Sequence, residues 1–141
     1  MPGQTNKNFK KRLIIRTFQL SRQVIKLVDK FPNKRSAWVI SDQLLRSATS
    51  IGANIVEVQA ASSKKDFINF LNHALKSGNE TKFWLALAKD LENNLVNQID
   101  KILKETDELV KILGSSIATL KGKKKLWTFN LTFNFAFWIL N

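Results

Sequence analysis

The 141-residue sequence predicts an all-α fold, an antiparallel up-down four-helix bundle, followed by a non-helical aromatic tail. Three observations support this. Apolar residues recur at helical spacing through residues 9–122, and the breaks between these stretches are short, which favours antiparallel neighbours. Beyond Lys125 the apolar period falls to two, the period of a strand.

Residues 1–8 lack the apolar run of a secretory signal and are expected to form a disordered arm. The first helix is expected at about 9–31. Leu13, Thr17, Leu20, Val24, Leu27 and Phe31 form one stripe, and Ile14, Phe18, Ser21, Ile25 and Val28 an adjacent one. Two stripes exceed what a single bundle seam requires, so the surplus is available to another subunit. Pro32 ends the helix, because it lacks an amide donor and disfavours the α region in the residue before it.

The second helix, at about 36–61, places Leu44, Ala48, Ile51 and Ile55 inward. Gly52 in its middle costs roughly 1 kcal/mol relative to alanine, which points to a bend or a close helix contact. Ser63 and Asp66 form a capping-box pattern that opens the third helix, at about 63–91. On it, Ala74 and Gly78 allow a neighbouring backbone to approach closely. Glu92-Asn93-Asn94 breaks the pattern. The fourth helix, at about 94–121, carries Ile99, Ile102, Leu109, Leu113 and Ile117 inward, with Asp100–Lys104 and Asp107–Lys111 as outer pairs four apart. These four stretches make one bundle domain over 9–122. Residues 123–141 form a basic and then aromatic tail outside it.

Charge is unevenly placed. The net charge is +12, and the first 35 residues hold ten Lys or Arg against one acid, while residues 36–120 hold nine against ten. Basic ends on a neutral bundle point to an anionic partner such as nucleic acid. The best phosphate-contact residues are Arg12, Arg16, Lys26 and Lys30 on one helical stripe, with Lys10, Lys11, Lys34 and Arg35 nearby; the bland alternative is a solvated face. No aromatic motif of the RRM kind accompanies them, so no base preference is implied.

Catalysis and metal binding find little support. The single histidine, His73, has no nucleophile motif beside it and reads as a surface or interface residue. The Glu-x-x-His pattern of di-iron bundles fails, because Phe70 stands three residues before it. There is no cysteine and no glycine-rich phosphate loop. The expectation is a non-enzymatic cytoplasmic protein with no cofactor, no metal and no small-molecule substrate.

A polar set, Gln43, Arg46, Asn54, Glu57, Asn79 and Glu80, falls near the apolar faces of the second and third helices. Glu57 and Glu80 are placed to seek Arg46 or a neighbouring subunit's cation, since buried carboxylates need such partners. This set reads as a structural network fixing helix register, with a ligand or RNA pocket as the alternative.

Several short patterns occur together: Phe31-Pro32, Ser41-Asp42-Gln43 with Arg46, Ser50-Ile51-Gly52-Ala53-Asn54-Ile55-Val56-Glu57, Ser63-Lys64-Lys65-Asp66-Phe67, and Lys76-Ser77-Gly78-Asn79-Glu80. In combination they resemble the four-helix bundle proteins of the 23S rRNA intervening-sequence family, over about residues 9–122. Many members have proline where Gly52 stands and glycine where Val58 stands. The Trp-Gln often found in the first helix is missing, and the aromatic tail lies outside the pattern. The resemblance implies a homopentameric ring and kinship with the accessory variability protein of diversity-generating retroelements, a basic bundle pentamer that binds a reverse transcriptase and nucleic acid. The expected function is a homo-oligomer that binds RNA or an RNA–protein complex through its first helix. The alternatives are an adaptor ring docking an acidic partner, and peripheral membrane association through the tail. Residues 126–141 are uncharged, rich in β-formers and free of proline, so they are expected to be dispensable for the bundle and prone to aggregate.

Overall fold

The structure, a computed structural model, describes residues 2–122, with side chains from residue 7 onward. The expected aromatic tail, residues 123–141, lies outside the described residues. Four helices follow in order: α1 (Pro2–Val28), α2 (Arg35–Glu57), α3 (Lys64–Ala88) and α4 (Val96–Leu120). Short 3-10 turns, Val58–Ala60 and Asn93–Leu95, follow α2 and precede α4. Each helix packs on the next and α4 closes on α1, giving the all-α four-helix arrangement that the periodicity predicts. The α1–α4 seam is the least extensive of the four.

The first helix differs from expectation at its start. It begins at Pro2, so residues 2–8 are helical where a disordered arm is expected. Proline is tolerated in a first turn because its missing N–H has no intrahelical acceptor to reach. No second proline interrupts the helix between Pro2 and Phe9. At the other end, the amides of Asp29, Lys30 and Phe31 close the last turns before Pro32.

Local signals fix the start of α3. The Ser63 hydroxyl accepts the Asp66 amide at 3.1 Å, and the Asp66 carboxylate accepts the Ser62 amide at 3.1 Å. The acid thus reaches one residue further back than the usual reciprocal cap.

The core runs the length of the bundle through Leu20, Leu44, Ile51, Leu85, Ile99, Leu109 and Leu113, all fully buried. Gly52 serves a close contact: a Cβ on it would lie 3.3 Å from the Thr17 hydroxyl of α1. Buried hydroxyls bind their own helices, as Thr17 does to the Ile14 carbonyl and Thr106 to the Ile102 carbonyl. Ser47 and Thr81 also meet across α2 and α3, their hydroxyl oxygens 3.1 Å apart. Among the described residues no buried side-chain donor or acceptor lacks a partner, as close packing demands.

Candidate nucleic-acid interface

The eight cations expected to meet phosphate separate into groups. Arg12, Lys26 and Lys30 lie exposed along the α1 face that turns toward α4, and the Lys30 ammonium donates to the Gln98 side chain at 2.8 Å. Lys34 and Arg35 stand exposed where the chain turns into α2, beyond Lys30. None of these five makes an ion pair among the described residues.

Arg16 shares the α1 stripe but has another role. Its guanidinium grips both Glu105 oxygens, at 2.8 and 2.9 Å, and reaches Glu108 at 2.9 Å. Two carboxylates already neutralise it, so it acts as a clamp across the α1–α4 seam and offers little to a phosphate. Lys10 departs from the stripe as well, with its ammonium 5.2 Å from the centre of the Phe67 ring. Lys11 is exposed but stands about 100° around α1 from Arg12, off the α4-facing stripe.

Sequence spacing missed two residues. Lys101 and Lys104 are exposed on α4: Lys101 lies on the side of the helix that bears Gln98 and Glu105 and so borders the cationic face of α1, whereas Lys104 stands about 100° around the helix from Glu105, on its outer face. The sequence pairs Lys104 with Asp100, but Asp100 binds Lys89, just past the end of α3. A cross-helix partner displaces the one four residues along, leaving Lys104 without an ion pair among the described residues. The second expected pair does form, with Lys111 and Asp107 at 2.8 Å. Asp107 also accepts from Lys82 at 2.7 Å, a lysine whose side chain is only 7% exposed. Burial pushes the Asp107 carboxyl up, yet the hydrogen bonds from Lys111 and Lys82 outweigh it and hold the pKa below the ordinary carboxylate value.

The polar set of α2 and α3 is only partly assembled. The Arg46 guanidinium donates to the Gln43 side chain at 2.8 Å and pairs with Glu80, which also accepts from the Trp84 indole at 3.3 Å. Glu57 is exposed and does not join them. It sits eleven residues after Arg46 on the same helix, about 16 Å along the axis, too far for the two side chains to meet. Asn54 instead turns back to the Ser50 carbonyl at 2.8 Å, and Asn79 makes no side-chain hydrogen bond among the described residues. With Arg46 57% and Glu80 35% exposed at the side chain, this is a surface ion pair rather than a buried network or an enclosed pocket.

His73 is exposed on α3. Among the described residues no three His, Cys, Asp or Glu side chains gather where a metal could sit, and no helix is long and apolar enough to cross a membrane.

The family model of the 23S rRNA-intervening sequence protein matches residues 10–115. The chain belongs to that family. It is also similar to a solved structure from Bacteroides thetaiotaomicron, a protein of unknown function from the S23 ribosomal protein family. The two are 38% identical, the match covers 77% of this chain and 96% of that one, and the TM-score is 0.70. No curated protein matches this chain. In this member of the 23S rRNA-intervening sequence family the matched region spans from α1 to near the end of α4, and residues 123–141 lie beyond it.

Proposed function

We propose that the protein is a non-enzymatic, cytoplasmic homo-oligomer that binds RNA, or an RNA–protein complex, through the basic face of α1 and its turn into α2. The observation that carries this reading is a row of exposed cations without acidic partners among the described residues, Arg12, Lys26, Lys30, Lys34 and Arg35, bordered by Lys101. Phosphate recognition needs only such repeated positive charge, free to displace counterions. The family's rRNA setting and the ribosomal family of its structural relative support RNA as the polyanion.

Self-association is supported by a second surface. Phe18 and Trp38 are 63% and 58% exposed, and Ile25 and Val56 are about half exposed. Helical spacing sets these four along the outer edge where α1 packs on α2, opposite the side of α1 that meets α4. An apolar ridge of this kind marks a protein contact site, and a ring of copies, five by family resemblance, would cover it.

Retention on RNA at rising salt tests the reading, with multi-angle light scattering for assembly. We expect binding to unrelated RNA sequences that weakens steeply with salt, and a mass well above 16.1 kDa. An intact oligomer that does not bind RNA at low salt would support the adaptor function instead. A monomer at micromolar concentration would remove the ring.

A further inference from the structure

At one end of the bundle the helices do not close. A cavity of about 770 Å³ opens there between the start of α1, the end of α2, the start of α3 and the end of α4. Leu13, Ile55, Val58, Phe67, Leu71 and Val110 wall it. Packed interiors leave few voids larger than a water molecule, whereas this space falls in the ~300–1,000 Å³ range of binding sites. Gly114 of α4 gives independent evidence for the opening. It is buried and lines the cavity, yet a Cβ added to it would meet nothing within 4 Å.

The two lysines at this cavity are already engaged, Lys10 over the Phe67 ring and Lys111 with Asp107. What remains suits an apolar guest. One is tethered beside it, because Thr119 and Leu120 at the end of α4 line the cavity and the uncharged segment begins only six residues later, at Leu126. Gly122 has φ +68, a left-handed conformation that turns the chain off the helix axis, and its amide bonds the Thr119 carbonyl. Gly122 and Leu126 are four residue steps apart, so Leu126 can lie at most about 14 Å from Gly122 at the end of α4. Residues 126–141 contain Trp127, Phe129, Phe133, Phe135, Phe137 and Trp138 and no charge. A short tether gives such a segment an effective concentration in the millimolar range at the cavity.

We propose that this cavity is the docking site of the chain's own residues 126–141, which enter it from the end of α4 and complete the open end of the bundle. The match is chemical as well as spatial. Aromatic side chains too apolar for water meet an apolar space within reach of their tether.

The absence of cysteine in the sequence allows a clean test on the full-length chain. Ser115→Cys, in the cavity wall, is combined in turn with Thr128→Cys, Asn130→Cys or Thr132→Cys, and disulfide formation under mild oxidation is followed by intact mass and non-reducing gel. Asn97→Cys, exposed near the opposite end of α4, is the control partner. We expect at least one tail position to close an intrachain bond with Ser115→Cys several-fold faster than with Asn97→Cys. Adding Gly114→Leu, which sets a side chain into the open space, should slow that bond several-fold while helical circular dichroism is unchanged. If no tail position favours Ser115→Cys, or Gly114→Leu has no effect on a folded chain, the cavity is not the tail's site. Disulfides between chains would assign the cavity to a neighbouring copy's tail and overturn docking within one chain.

Discussion

A methyl group on Gly78 would lie 2.7 Å from Cγ2 of Val110, so α3 and α4 can meet at their present distance only over a residue with no side chain. Valine is stiff at χ1 and cannot swing its methyl away cheaply. Gly78→Ala should therefore destabilise the bundle by ~1–2 kcal/mol, an overpacking cost of ~1–3 kcal/mol reduced by alanine's helix propensity. Urea unfolding would measure it. Adding Val110→Ala should recover part of the loss, and additive losses in that cycle would mean the two residues do not clash.

Gly114→Ala should have the opposite sign. In a chain ending at Lys125, where no tail can occupy the cavity, its added methyl meets open space, and alanine gains up to about 1 kcal/mol over glycine inside a helix. A lower melting temperature for this variant would contradict the open end of the bundle.

Lys82 and Asp107 make stability depend on acid. Because the Asp107 pKa is depressed on folding, its contribution is fully present above the unfolded value of about 3.9 and is lost as pH falls through the folded value. Asp107→Asn leaves the buried Lys82 ammonium without a counter-charge at neutral pH. Breaking such a pair costs ~3–5 kcal/mol, and the lower end applies because Asp107 is 28% exposed. Unfolding curves at pH 7 and pH 3 should show the variant losing less between them than the native chain. Equal losses would remove Asp107 from the acid response.

Glu57 and Glu80 separate by exposure. Glu57→Ala should change stability by less than ~0.5 kcal/mol, as exposed substitutions do. Glu80→Ala breaks a surface ion pair with Arg46 and should cost no more than ~1 kcal/mol. Thermal melts in parallel would check both, and a loss of several kcal/mol at Glu57 would require a partner that the described residues do not supply.

Apolar periodicity made the four helices readable, because packing one helical face fixes both the helix and its orientation. Ser63 with Asp66 announced the start of α3, and Gly52 and Gly78 announced close approaches through the cost of glycine in a helix. Cross-helix partners were hidden. Asp100 chooses Lys89 over Lys104, Arg16 turns to Glu105 and Glu108, and Ser47 meets Thr81, choices set by how neighbouring helices are rotated and staggered. From the sequence Glu57 is set beside Arg46 wrongly, since helix rise alone puts the two beyond reach. Lys101 needed the α1–α4 packing to show that it borders the basic face.

That division of the cations yields a discriminating experiment. Arg16→Glu would replace a clamp on the least extensive seam with a third carboxylate beside Glu105 and Glu108, so it should lower the unfolding midpoint while leaving the salt dependence of RNA binding nearly unchanged. Lys26→Glu with Lys30→Glu should do the reverse. Every phosphate left without its cation takes about 0.9 of a unit from the slope of log K against log salt on duplex RNA, using the B-DNA value, and ~0.7 on single strands. Lys101→Glu should flatten the slope further, and Lys104→Glu less, if α4 borders the same site. Should Arg16→Glu flatten the slope as strongly as the lysine variants while its midpoint stays put, the Glu105–Arg16–Glu108 cluster would have to open on RNA, and the clamp assigned to it would be wrong.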